Sequence, residues 1–171
     1  MNRSSIILVI SFFLHLAFQL VIMKNAVLFH SAFCFMYVAI LLLLPVETSA
    51  LFLMLLGFVT GIFVDMFYDS LGLHAISCVF IMYLRNFWLS RLTPQGGYDT
   101  GVIPNVSMNG LQWFLTYSIP LIFIHHAVLF FTEVGGFQYF GFTLLKVIFS
   151  TVFTTIVILI IQYLFPVGRR I

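Results

Sequence analysis

Long apolar runs separated by short polar breaks organise this chain. The runs cover 5–23, 26–44, 49–68, 71–89, 111–132 and 137–165. Between them lie Lys24-Asn25, Pro45-Val46-Glu47, Asp69-Ser70, the stretch 90–110 and Glu133-Val134-Gly135-Gly136, all built from residues that stop helices or open turns. A helix needs about 20 apolar residues to cross a bilayer. The pattern therefore predicts an all-α integral membrane protein, with six transmembrane helices in one bundle and a single domain over 1–171.

Composition strengthens this reading. Hydrophobic residues make up 63% of the 171 positions and charged residues 7%, with a mean hydropathy of +1.18, whereas roughly a quarter of a soluble domain is charged. Seven basic against five acidic residues give a net charge of +2. No basic run exceeds Arg169-Arg170, so the chain lacks the electrostatic footprint of a nucleic-acid binder. Cys34 and Cys78 sit inside apolar runs and read as small buried thiols. Arg3 before an apolar run resembles a secretory signal, but the run reaches Met23 without a small-residue cleavage site and reads as a retained first span. With six spans and the basic residues held inside, Arg3, Arg85, Arg91, Arg169 and Arg170 lie on the cytoplasmic side. Both termini are then cytoplasmic, and Asp65 and Asp69 lie near the outer surface.

Polar residues inside the runs are few and regularly placed. Ser11, His15 and Gln19 recur every four residues on the first helix and should face the bundle, hydrogen-bonding to other helices. Arg85, near one end of its helix, is expected to snorkel to the headgroups. Pro120 should bend the fifth helix, and 90–110 reads as a solvated connector. His125, His126, Glu133 and Lys146 fall in the outer half of the last two helices, with Ser150, Thr151, Thr154 and Thr155 beyond them as a small polar packing band. The histidines and acids are acceptable metal ligands by type, but no H-x3-H or H-E-x2-H spacing supports a site. A hydrogen-bonded or ion-paired cluster fits better, with Lys146 as the cation available to an acid.

The densest pattern is 57–72, GFVTGIFVDMFYDSLG, in which Gly57, Gly61, Asp65 and Asp69 recur every four residues along one helix face. The glycines make a groove for a close helix approach, and the carboxylates continue the line towards the helix end. Asp65 and Asp69 also match the end of the motif of CDP-alcohol phosphotransferases, D-G-x2-A-R-x8-G-x3-D-x3-D. The first half of that motif is missing, because Glu47, Thr48, Leu51 and Phe52 stand where Asp, Gly, Ala and Arg should be. One unbroken helix would also hold Glu47 and Asp65 about 27 Å apart at ~1.5 Å per residue, too far to share a metal.

Through Gly57, Gly61, Asp65 and the following Leu71-Gly72 the chain resembles the bacterial rod shape-determining protein MreD family. The resemblance implies a bundle similar to the substrate-binding subunits of energy-coupling-factor vitamin transporters. It also implies a non-catalytic role in the cell-wall elongation complex of the bacterial cytoplasmic membrane, where the chain maintains cell shape beside MreC, MreB, RodA and the penicillin-binding synthases, with no cofactor. On that reading Gly57, Gly61, Asp65, Asp69 and Gly72 pack helices or meet a partner. Two alternatives remain: a vitamin-transporter subunit, although Ala17 is followed by Val21 where an A-x3-A patch would be needed, and a CDP-lipid transferase using Mg2+.

Overall fold

The structure is a computed structural model that describes residues 3–28 and 31–166, with side chains from residue 12 onward. The side chains of Arg3 and Ser11, together with His30, Arg169 and Arg170, lie outside the described residues. Its α-helices are α1 (Arg3–Val21), α2 (Val38–Leu42), α3 (Ala50–Tyr68), α4 (Leu73–Arg91), α5 (Val106–Asn109), α6 (Leu111–Glu133) and α7 (Phe140–Leu164). A 3-10 turn (Met23–Asn25) follows α1, and a short hairpin pairs β1 (Val27–Leu28) with β2 (Ala32–Phe33), placing Val27 opposite Phe33.

Helices α3, α6 and α7 are long and apolar enough to cross a membrane. Their outward faces present Leu51, Leu55, Phe58, Ile119, Phe142 and Ile156, among others, to the surroundings. Such faces would be aggregation-prone in water but are ordinary against lipid. The chain is thus a membrane protein. Five of the six apolar runs form long helices, each within a few residues of its expected bounds.

The run 26–44 does not. Instead of a helix it forms the hairpin, an extended segment through Cys34-Phe35, and the five-residue α2. Its hydrophobicity is spent inside the protein, since Cys34 to Ala39, Leu41 and Leu42 are all buried. A fully buried apolar segment and a spanning helix cannot be told apart by hydropathy, because both exclude water along their whole length. This segment, 26–45, is called the insert below.

The turn between α3 and α4 is tight. Asp69 ends α3 in the left-handed conformation (φ 52°), a backbone state that a short polar side chain tolerates, and Gly72 (φ 87°) opens α4. The two helices then pack face to face along the glycine line. A Cβ on Gly61 would lie 2.3 Å from the Cα of Ala75, and one on Gly57 would lie 3.1 Å from Cγ of Met82. The groove foreseen in the sequence is therefore filled by the chain's own α4, and its glycines are helix-packing residues rather than a free contact surface.

Pro120 lies within α6, which is assigned as one helix throughout. Proline lacks the N–H that would bond the carbonyl of Thr116, and Trp88 Nε1–H donates to that carbonyl instead (3.3 Å). The stretch 90–110 is docked rather than free: Val46 N–H donates to Val102 O (2.9 Å), Tyr98 O–H to Leu89 O (3.3 Å) and Val106 N–H to Gln162 Oε1 (2.9 Å).

Candidate functional site: a polar core around the insert

Non-helical backbone at membrane depth must find its hydrogen bonds within the protein. The extended part of the insert, Cys34-Phe35, has no neighbouring strand, and side chains take the place of one. On one side, Phe33 N–H donates to Ser150 Oγ (2.9 Å) and Phe35 N–H to Thr154 Oγ1 (3.1 Å). The spacing is matched: four residues on a helix rise about 6 Å, close to the ~6.6 Å between alternate residues of a strand. On the other side, Gln19 Nε2 donates to Cys34 O (3.0 Å) and to the Tyr68 hydroxyl (2.8 Å), while its Oε1 accepts from Tyr37 N–H (3.4 Å). One glutamine amide thus links α1, α3 and the insert.

The far end of the insert is held by Arg85. This side chain is fully buried and does not snorkel. Its Nε donates to the Tyr117 hydroxyl (2.8 Å) and its Nη2 to the carbonyls of Leu44 and Pro45, while Tyr117 O–H donates to Leu42 O (2.8 Å). A guanidinium is thereby placed against the carbonyl end of α2, where the backbone carries partial negative charge. The sequence expectation failed because hydropathy shows the depth of a residue but not whether carbonyls wait there.

Asp65 and Asp69, which share a helix face in the sequence, have separate fates. Asp69 is exposed at the helix end. Asp65 is buried and accepts from Ser70 Oγ (2.7 Å), His74 N–H (3.0 Å) and Ala75 N–H (3.0 Å), with His74 Nδ1 also at 2.9 Å. Its carboxylate, projecting from α3, caps the first turn of α4. Ser70, His74 and Asp65 have the composition of a hydrolytic triad but not its geometry. Ser70 and Asp65 both approach Nδ1 of His74, whereas a nucleophile needs the ring nitrogen that the acid leaves free.

A cluster of rings closes the core. Phe35 packs against His74 (5.3 Å between centroids), His126 (5.4 Å), Phe130 (6.0 Å) and His125 (6.1 Å). The Tyr37 hydroxyl lies 2.8 Å from His125 Nε2, and Thr154 Oγ1 lies 3.2 Å from His126 Nε2. His74 Nε2 and His125 Nδ1 are buried without a partner. Glu133 pairs instead with Lys146 (2.8 Å), whose ammonium lies over the rings of Phe130 and Phe33. The polar residues of α6 and α7 are thus divided between an ion pair and the ring cluster. Among the described residues no three histidines, cysteines or acids are arranged to hold a metal ion.

Gln19 and His125, His126 and Lys146 were all visible in the sequence as interior polar residues. Tyr37, Phe35, Tyr68, His74, Tyr117 and Arg85 complete the site and were missed, because their role depends on an insert that the sequence presents as a helix. His15 also takes part in an interaction within the structure.

On the outward side of α3 and α4 lies an apolar groove of about 540 Å³, lined by Met54, Phe58, Ile62, Ile76, Phe80 and Tyr83 among others. It backs onto the glycine-packed seam and faces away from the polar core. Comparison with known proteins adds no relative: no family model, no curated protein and no solved structure matches the chain.

Proposed function

We propose that this chain is a non-catalytic membrane subunit of the bacterial cell-wall elongation complex, similar to MreD. In this role it maintains rod shape by binding the membrane-anchored helix of MreC, with MreB, RodA and the penicillin-binding synthases in the larger assembly. In this reading it resides in the cytoplasmic membrane with both termini inside. The observation that supports a scaffold role is the use of its buried polar groups. Gln19, Arg85, Tyr117, Ser150 and Thr154 all bind the insert's backbone or the residues that hold it, and Asp65 is filled by the α4 turn. These groups make the bundle rigid, which suits a surface that must be presented to a partner.

The apolar groove on α3 and α4 is the surface assigned to that partner, since a spanning helix lays an apolar face into such a groove. The test is co-expression with MreC and purification in mild detergent. Wild-type chain should retain MreC, and Ile76→Trp, which fills the groove, should lower recovery about tenfold, equivalent to ~1.4 kcal/mol. Unchanged rod shape on depletion in the native host, together with no MreC co-purification, would refute the assignment.

A further inference from the structure

The connectors at the two ends of the bundle face different surroundings. Contacts fix which connectors share an end. Lys24, just before the hairpin, donates from Nζ to Phe67 O in the last turn of α3, and Lys146 near the start of α7 lies over the Phe33 ring and pairs with Glu133 at the end of α6. The hairpin, the α3–α4 turn and the α6–α7 turn therefore lie at one end. Val46 N–H donates to Val102 O, so the connectors 45–49 and 92–110 lie at the other. At that second end polar groups face outward: Glu47, Gln95, Asp99 and Thr100 are exposed, and no large apolar side chain of 45–49 or 92–110 is. The first end is the reverse. Val27 and Leu28 are exposed on the hairpin, Leu71 at the α3–α4 turn is 100% exposed, and Phe137 and Tyr139 at the α6–α7 turn are 73% and 66% exposed. Phe137 packs against Phe131 and Phe140 (5.1 and 6.4 Å between centroids), so the three rings form one patch. A single exposed apolar residue is common on any surface, but one or more on every connector of one end and none on those of the other separates the two ends.

Helix length points the same way. α3 starts just after the exposed Glu47 and has 19 residues, about 28 Å at ~1.5 Å per residue, against a hydrocarbon layer of ~30 Å. Its far end emerges at the lipid boundary rather than clear of it, and Leu71 follows directly. The patch on the α6–α7 turn continues from Tyr139 through Phe140 to the lipid-facing Phe142 of α7. The two lysines of this end are engaged by Phe67 O and Glu133, so the surface it offers is apolar and aromatic rather than cationic. We propose that the hairpin, the α3–α4 turn and the α6–α7 turn form an apolar collar seated in the headgroup layer of one leaflet, while the opposite end of the bundle stands in water. Aromatic and aliphatic side chains on a membrane protein are favoured at that depth, where their apolar bodies leave water. The collar is independent of the partner assigned to the groove on α3 and α4.

The experiment places single spin labels on the full chain in phosphatidylcholine nanodiscs. It compares collision with molecular oxygen, which concentrates in the bilayer, and collision with a nickel chelate, which stays in water. Leu71→Cys and Phe137→Cys report on the collar, and Gln95→Cys reports on the opposite end. Cys34 and Cys78 are buried, and wild-type chain carried through the same labelling sets their background. The oxygen-to-nickel collision ratio of the Leu71→Cys and Phe137→Cys labels should exceed that of the Gln95→Cys label by about threefold or more. A smaller difference at either collar site overturns the proposal, because water then reaches the turn. Little collision with either reagent at a collar site also overturns it, because protein then covers the turn. If Phe137→Cys is not monodisperse, Tyr139→Cys reads the same turn by the same comparison.

Discussion

Gly61→Ala should be among the most damaging single-methyl additions in this protein, and the reason is local. The new Cβ would lie 2.3 Å from Ala75 Cα, 2.5 Å from Ala75 N and 2.8 Å from the carbonyl carbon of His74. All three are backbone atoms of the first turn of α4, so no side chain can rotate out of the way. Ordinary carbon contact begins near ~3.5 Å, which requires α3 and α4 to separate by about 1.2 Å at this point. That displacement acts on the same N–H groups of His74 and Ala75 that Asp65 holds at 3.0 Å. Overpacking alone costs about 1–3 kcal/mol, and weakening two hydrogen bonds to a charged acceptor adds ~1.5 kcal/mol or more. Together these come to about 2.5–4.5 kcal/mol.

Gly57→Ala provides the internal control. Its Cβ would meet Met82 Cγ at 3.1 Å and the Cys78 carbonyl at 3.2 Å. The nearest atom belongs to a flexible side chain that can yield, so the expected cost is below ~1.5 kcal/mol. The assay is thermal survival of monodisperse protein in detergent, read by size-exclusion after heating, with urea or detergent unfolding for the free-energy difference. Gly61→Ala within ~0.5 kcal/mol of wild type, or Gly57→Ala the worse of the two, would refute the seam geometry.

Three further substitutions probe the groups around this seam and the insert. Asp65→Asn puts an amide NH2 among donors that need an acceptor and should cost about 2–4 kcal/mol in the same unfolding measurement, while exposed Asp69→Asn should stay within ~0.5 kcal/mol because Asn tolerates the left-handed cap. Arg85→Met leaves the Leu44 and Pro45 carbonyls and the Tyr117 hydroxyl short of a donor, so it should cost at least ~2 kcal/mol and raise protease cleavage within the insert. A loss below ~0.5 kcal/mol would mean that burying the guanidinium costs as much as its bonds return.

How far the sequence discloses this structure depends on which physical signal carried each part. The long helices were legible because an apolar run bounded by Pro45-Val46-Glu47, Asp69-Ser70 or Glu133-Val134-Gly135-Gly136 has both a length and an end. The close approach at Gly61 was legible because residues four apart share a face, although the sequence could not name α4 as the neighbour. Asp69 misled for the same reason. It continues the Gly57–Gly61–Asp65 line in sequence, but the helix ends there, so the residue turns into the cap. The insert was not legible from hydropathy at all, since a segment buried by protein and one buried by lipid have the same composition.

A different signal did contain it. Hydroxyls inside a helix ordinarily bond back to the carbonyl one turn earlier, as Thr60 does to Leu56, Ser77 to Leu73 and Thr151 to Val147. Ser150 and Thr154 instead accept from backbone N–H groups of another segment, and Gln19 both donates to and accepts from that segment. Only the first turn of a helix has spare N–H groups, so a bundle made solely of complete helices offers few such donors to a side chain deep in its core. Interior polar residues on several helices at the same depth therefore imply that something with unpaired backbone lies between them. Lipid cannot supply it, and another helix can do so only at its end. The polar band on α7 and the Gln19 face of α1 are two halves of one requirement, and the run between them, 26–44, is the nearest segment able to meet it.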